Sequence, residues 1–508
     1  MAEKSEKCRK KGSSEAAAIH PAGEWPRLRK ALEFFGFIRF FRLNCCFWIH
    51  TEKSAFGSEP EQIDIVLRLE DRRCSFVALN MNRRKPFQTA AALGLSLFLP
   101  IAVQAEDWPQ WRGPNRDGVW HETGLLESFP PGGLKIAWRA PVGRGWSSPV
   151  VAQGRVYVTD AQVARPTAKE RVLCVDEANG QLLWSHEYVV DYPDWAFDPN
   201  AGGPRATPII RGGKLFTLGA MGHLFCLDAI KGEVVWEKSL AKEYQVKEFT
   251  GITASPLIED ELLILYICGK LAACVVAFDK NSGKEAWRAL DDSFTYSSPI
   301  ILTAGGRRQL IVWTQEAVTS LNPTTGQTWW REQLRTSGDM AVSTPVFANQ
   351  RLLIGGLMLK LDADKPAASV LWPETRPVSR RILSNTSTAL SHGDYVFSAK
   401  TSGELVCLEA DTGKQIWQTN TVTSLSNGSS IHLTPNGDSV LLFTDQGNLI
   451  RAQLTPQGYR EISRAHLLEP TSPFGDRNCA WTPPAYANRH VFARNDKELV
   501  CASLAAKP

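Results

Sequence analysis

Beyond residue 130 the apolar positions fall into short strand-like runs separated by Gly-, Asn- and Asp-containing breaks. Ser148-Pro-Val-Val-Ala152 is followed across Gln153-Gly154 by Arg155-Val-Tyr-Val-Thr159, two strands joined by a tight turn. Cys174-Val-Asp-Glu-Ala-Asn-Gly180-Gln-Leu-Leu-Trp184 then reads as an apolar strand ending in Asp, a turn, and a second strand carrying Trp. The glycine supplies the positive φ of that turn. The phrase recurs as Cys226-Leu-Asp-Ala-Ile-Lys-Gly232-Glu-Val-Val-Trp236 and Ala277-Phe-Asp-Lys-Asn-Ser-Gly283-Lys-Glu-Ala-Trp287, and in looser copies ending at Trp330, Trp372 and Trp417. A degenerate copy runs from Gln453 through Gly458 to Ile462. Successive tryptophans from Trp138 are separated by 46, 52, 51, 43, 42 and 45 residues, the period of a four-stranded propeller blade.

First strands are marked at Ser148-Pro149, Thr207-Pro208, Ser255-Pro256, Ser298-Pro299, Thr344-Pro345, Ser387-Thr388, Ser430-Ile431 and Thr482-Pro483. They predict an all-β fold, an eight-bladed β-propeller of four-stranded antiparallel blades. The last repeat stops without its Gly and Trp strand, and Gly133-Leu-Lys-Ile-Ala-Trp138-Arg139 supplies one at the other end of the array. The N-terminal strand is therefore expected to pair into the last blade and close the ring. Blades splay apart with radius, and a broad Trp on the outermost strand suits the widening wedge.

The first 105 residues break the pattern. Met81-Asn-Arg-Arg-Lys-Pro86, the apolar stretch from Ala90 to Val103 and the small-residue site Val103-Gln-Ala105 read as a signal peptide over 81–105, placed internally. Residues 1–80 then read as an extension upstream of the true start at Met81, the rival being a genuine extended leader or membrane-proximal segment. Residues 106–132 form a lead-in segment and 133–508 the propeller. The expected mature chain begins at Glu106 and is periplasmic or secreted. No Cys follows Ala105 to carry a lipid, so any envelope association is expected to be peripheral.

Charge changes the picture little. Of 57 Lys+Arg and 53 Asp+Glu, 17 and 11 lie in the first 105 residues, which leaves the propeller near neutral and argues against a nucleic-acid partner. Cys174, Cys226, Cys407 and Cys501 share one repeat position on a third strand and read as core filler. Cys268 and Cys274 flank a turn, either as a hairpin disulfide or as two free thiols. Cys479 precedes the last blade and reads as buried. No C-x-x-C or His/Cys cluster marks a metal.

Catalytic signals are thin. Gly143-Arg-Gly145-Trp-Ser147 lacks the final Gly of a nucleophile elbow and precedes a strand rather than a helix. Asp191, Asp194 and Asp198 offer oxygen ligands for a hard cation or simply a solvated loop. His223 reads as a turn residue. Arg205 enters a first strand, either lining the channel or capping carbonyls between blades.

The D-x-x-T/N/S-G-x-x-x-W phrase resembles the repeat of the pyrroloquinoline quinone (PQQ)-like propellers, which include quinoprotein alcohol dehydrogenases and BamB-like proteins. Trp108-Pro-Gln-Trp-Arg-Gly-Pro-Asn-Arg-Asp-Gly118 resembles the N-terminal phrase of secreted planctomycete-type members. The dehydrogenase resemblance implies a quinone held over the axis between a Trp and a vicinal disulfide, with Ca²⁺ on acidic and amide side chains and an Asp base. This chain departs from that pattern. Its adjacent pair Cys45-Cys46 lies upstream of the signal, no c-type haem motif is present, and Trp146 and Trp481 are either quinone stackers or loop packing. The reading is a non-catalytic binding or scaffolding propeller of BamB-like kind with no cofactor expected; the alternative is a PQQ- and Ca²⁺-dependent oxidoreductase. A protein partner or small polar ligand is expected at the axial mouth, where Trp146, Trp195, Arg205, His223 and Trp481 are the candidate contacts. The long connection from Tyr188 to Arg205 is the chief irregularity there.

Overall fold

The computed structural model describes residues 106–198, 201–246, 251–336, 341–373, 383–384 and 386–506. The expected extension 1–80, the expected signal 81–105 and the pair Cys45-Cys46 lie outside the described residues. The rest is nearly all β, as the repeat predicts: eight four-stranded antiparallel sheets form an eight-bladed β-propeller. Blade 1 is Val150–Ala152, Arg155–Ala164, Thr167–Asp176 and Leu182–Val190. Blades 2 to 7 occupy residues 209–239, 257–289, 300–333, 346–372, 390–419 and 431–466. Blade 8 takes Ala485–Ala487, His490–Arg494 and Glu498–Ser503, with Lys135–Pro141 as its fourth strand, antiparallel to Glu498–Ser503.

The core lies between blades rather than within them. Tyr157 and Cys174 of blade 1 share a cluster with Leu215, Phe225 and Leu227 of blade 2, and similar clusters join the later neighbours. One larger cluster combines blades 7, 8 and 1 with Trp108, Trp120 and Phe129 of the lead-in segment. Cys174, Cys226, Cys407 and Cys501 are buried in these interfaces as small apolar groups, and Cys479 is buried on a short strand ahead of blade 8.

The structure gives the repeated Trp a further reason. Each indole on a fourth strand docks on the Gly-containing turn of the next blade: a Cβ at Gly180, Gly232 or Gly326 would lie 2.6 Å from Trp138, Trp184 or Trp287. The indole N–H of most of them donates to a carbonyl of that turn, Trp138 to Glu177 at 2.8 Å, Trp287 to Pro323 at 3.2 Å and Trp417 to Thr455 at 2.8 Å, whereas that of Trp184 is buried without a hydrogen-bond partner. The turn glycine is thus required by its φ of +73° at Gly180 and by the neighbouring ring. Trp330 departs from the rule, donating to Gln309 Oε1 at 2.7 Å, because the blade 5 turn over Asp362 to Ala367 has no glycine.

The Ser/Thr residues at the first strands have a matching role. Ser148 N–H donates to Thr207 Oγ1, Thr207 N–H to Ser255 Oγ and Ser255 N–H to Ser298 Oγ, each at 3.0 Å, and Thr344 N–H donates likewise to Thr388 Oγ1. These hydroxyls satisfy inner-strand amides that no sheet partner reaches.

The meander fixes two faces. Turns between first and second strands, and the Asp-to-Gly turns, gather at one end of the axis. Entries into first strands and the turns between second and third strands gather at the other, here called the axial mouth.

Candidate functional site

The lead-in segment fills the channel from the end opposite the mouth. Trp108 bridges Val151 of blade 1, Pro109 O accepts from Ile210 N at 2.9 Å in blade 2, and Trp111 Nε1 donates to Thr344 Oγ1 at 2.9 Å in blade 5. Arg116, 7% exposed, donates to Pro299 O, Pro256 O and Ser255 O at 3.0, 2.8 and 2.9 Å. Burial lowers its pKa to about 9, with the neighbouring Arg112 charge adding to the effect. Trp120 N–H donates to Pro435 O in blade 7. The Glu122 carboxylate accepts from Asn488 N at 2.6 Å and Arg489 N at 2.7 Å in blade 8. A small cavity remains beside this segment, lined in part by Trp108, Trp111, Arg112 and His432. His432 is driven down to about 4 by burial and sits 2.9 Å from Trp481 O.

The mouth is built from the irregular loops. The middle strands of blade 1 are each ten residues long and carry their turn beyond the other blades. From its tip Arg165 pairs with Asp194 at 2.7 Å and lies 4.8 Å over Phe197. The connection after Val190 forms a 3₁₀ turn at Asp194–Phe197 with Ala196 and Tyr192 inside. Beneath it the buried Glu170 carboxyl accepts from Tyr188 Oη at 2.5 Å, Tyr192 Oη at 2.6 Å and Ala220 N at 3.1 Å. Burial raises the pKa of Glu170, partly offset by the two tyrosine hydroxyls.

Of the five candidate contacts, Trp146 and Arg205 are brought together. The Arg205 guanidinium lies 4.7 Å over the Trp146 ring, and Trp146 N–H donates to Pro204 O at 2.9 Å. Arg205 Nη2 donates to Ala201 O at 2.6 Å, while Nη1 is buried without a hydrogen-bond partner. Of the two roles open to Arg205, capping is limited to one carbonyl, that of Ala201 in the connection between blades 1 and 2, and other arginines cap more. Arg116 does so in the channel, and Arg494 does so between blades 8 and 1, donating to Thr159 O at 2.8 Å and Gly143 O at 2.6 Å. Burial lowers Arg205 to about 10. Beside it a narrow cleft runs along Gly251, Thr253, Tyr266, Phe294 and Tyr296, with Thr253 Oγ1 also buried and unpartnered.

The remaining candidates make other contacts. Trp195 packs with Val163 and Phe197 against the Tyr192 cluster on the blade 1 side. Trp481 meets Phe474 edge-on at 5.1 Å. His223 is the first residue of the third strand His223–Asp228, its ring 5.1 Å from Tyr188 and its pKa lowered by burial. The turn expected there ends one residue earlier, at Gly222. Arg116, Glu170, His432 and Arg494 were not singled out in the sequence. Arg116 belongs to the Trp108–Gly118 phrase, but no local pattern marks the other three.

The donor set at the axis does not fit a calcium ion. Among the described residues no group of three His, Cys, Asp or Glu side chains could hold a metal. Asp191, Asp194 and Asp198 point to solvent, and the inner strands offer hydroxyls and guanidinium groups. Among the described residues no helix is long and apolar enough to cross a membrane.

Comparison with known proteins places this geometry. The alcohol dehydrogenase (quinone) dehydrogenase subunit of Gluconobacter oxydans is 25% identical over 245 residues, 41% of this chain and 30% of that protein. The outer membrane protein assembly factor BamB of Shewanella oneidensis is 23% identical over 203 residues, 39% of this chain and 45% of that protein. The chain thus spans under half the length of either relative. The quinohemoprotein alcohol dehydrogenase of Comamonas testosteroni superposes with a TM-score of 0.56 at 14% identity, covering 83% of this chain and 84% of that one, a likeness of fold. A family model described as outer membrane protein assembly factor BamB matches residues 133–274, 168–357 and 271–505, so the chain belongs to this PQQ-like repeat β-propeller family.

Proposed function

We propose that this chain is a non-catalytic binding propeller of the cell envelope that engages a protein partner through its axial mouth. The observation that carries the reading is the Trp146–Arg205 pair: a guanidinium whose Nη1 is buried and unpartnered, seated on an aromatic ring beside a largely apolar, aromatic-lined cleft. An unpartnered charged donor costs free energy in the isolated chain and is satisfied by a carboxylate or carbonyl brought from outside. The opposite end of the channel is filled by the chain's own segment, which leaves the mouth as the accessible end of the axis. A protein partner is preferred to a membrane surface because a guanidinium and the Thr253 hydroxyl lie among the aromatic and apolar groups of the cleft, a mixture that suits directed polar contacts. Envelope location and export belong to the same proposal, supported by the family and by the signal expected at 81–105.

The test is capture of envelope proteins by the tagged mature chain, with crosslinking, compared among wild type, Arg205→Ala, Trp146→Ala and Trp195→Ala. Loss of capture in the first two with an unchanged thermal transition supports the reading; full capture by both removes it. The rival oxidoreductase reading draws on the quinone-dehydrogenase relative and is tested separately. A stoichiometric absorbance change of the purified chain with PQQ and Ca²⁺ would replace the present proposal.

A further inference from the structure

Cys268 and Cys274 face each other across the turn between the second and third strands of blade 3, Leu262–Gly269 and Ala273–Asp279, at the mouth end of the axis. Their Sγ atoms are 2.9 Å apart. The strand register breaks between Tyr266 and Gly269, and Cys268, Leu271 and Ala272 adopt φ of +49°, +62° and +58°. An ordinary tight hairpin does not need this arrangement, and here it turns the two side chains toward each other. Cys268 is half-buried, within reach of a reagent, whereas Cys274 is buried behind it. The other five described cysteines compete for neither: Cys174, Cys226, Cys407 and Cys501 are buried on the third strands of blades 1, 2, 6 and 8, and Cys479 is buried on the strand ahead of blade 8.

We propose that Cys268 and Cys274 are a thiol–disulfide site that closes to an intramolecular disulfide when a disulfide-bearing oxidant is present. The Cys268 thiol loses its proton to solvent, and its sulfur attacks one sulfur of the oxidant, whose other sulfur leaves as a thiolate. Cys274 then loses its proton and attacks Cys268 Sγ, expelling the second half of the oxidant. Two thiols are oxidised, one reagent disulfide is reduced to two thiols, and the chain is lighter by two hydrogens. The closed bridge pins a turn whose tip exposes Leu271 and whose Lys270 N–H donates to Tyr244 O at 2.8 Å. The strand leading into it carries Tyr266, whose hydroxyl accepts from Thr295 N at 2.8 Å at the floor of the cleft. The bridge therefore stiffens one wall of the mouth, whether or not a partner binds there.

The experiment incubates the purified mature chain in glutathione redox buffers of increasing oxidised fraction, quenches with acid, alkylates in denaturant and maps the peptides. The expected result is a bridge joining Cys268 and Cys274, with the other five cysteines alkylated. Cys268→Ser and Cys274→Ser should each leave the remaining thiol alkylated and unbridged. A dithiol reductant should lower the unfolding midpoint of the oxidised wild type and leave either variant unmoved. The proposal is overturned if both thiols alkylate fully at every ratio, if the bridge joins a different pair, or if Cys268 stops at a mixed disulfide with glutathione. The wild-type map decides the matter even where a variant fails to fold.

Discussion

Two arginines of the axis separate structure from recognition at the scale of one residue. Arg116 donates to three carbonyls of blades 3 and 4 from a buried position, so its loss leaves acceptors without partners deep in the channel. Arg116→Ala is expected to destabilise by about 3 kcal/mol, and Arg116→Lys to recover little of it, because an ammonium cannot reproduce the planar fork. Urea unfolding of both variants checks this. Arg205 makes one hydrogen bond to its own loop and leaves Nη1 unpaired, so Arg205→Ala should move stability by less than about 1 kcal/mol while removing partner capture. Equal destabilisation by the two alanines would mean that Arg205 is structural.

At the scale of the element, the Asp-to-Gly turn is a joint between blades. Gly154 and Gly180 both hold φ of +73°, but a Cβ at Gly154 meets nothing within 4 Å, whereas one at Gly180 collides with Trp138. Gly154→Ala should cost about 1–2 kcal/mol for the left-handed backbone. Gly180→Ala should add about 1–3 kcal/mol for overpacking. Denaturant midpoints that coincide would refute the docking role of the ring. The turn carboxylates give an acid dependence. Asp228 is held below its ordinary value of 3.8 chiefly by the Lys231 amide, Asp279 by the Ser282 hydroxyl and amide, and Asp362 by the Asp364 amide. A folded pKa below the unfolded one means that the stabilisation is fully present above the ordinary value and is lost as pH falls through the folded value. The thermal midpoint should therefore decline as pH drops below 3.8, and Asp279→Asn should flatten part of that decline. A midpoint slope unaltered in Asp279→Asn would count against this origin.

For the whole molecule, blade 8 draws its fourth strand from the N-terminal side of the array, and the cluster it anchors holds residues of blades 7 and 1 as well. Deleting Leu134 to Arg139 should lower the unfolding temperature of the entire propeller in a single transition, read by calorimetry. A deletion variant that melts like the wild type, or that loses only a minor early transition, would show that the strand is dispensable. The lead-in segment acts at the same scale, since Trp108, Trp111, Arg116, Trp120 and Glu122 touch blades on all sides of the axis.

The amino-acid sequence by itself determined the blade, its count and its strand order. Those features rest on local chemistry repeated along the chain: alternation along a strand and, in most blades, a Gly where φ is positive, an Asp or Asn whose side chain receives turn amides, and a Trp at a fixed distance beyond. It also placed the third-strand cysteines in the interior. Only the tertiary structure decided what the repeats do to one another. That Trp138 rests on Gly180, forty-two positions away by number, depends on the angle between neighbouring sheets. The lead-in phrase filling the channel, Glu170 anchoring the long loop, Arg494 clamping blade 8 to blade 1, and Trp146 pairing with Arg205 while Trp195, His223 and Trp481 make other contacts likewise join distant segments. The physical reason is that a repeat is written in contacts close along the chain, whereas a site at a propeller axis is assembled from single residues of several blades.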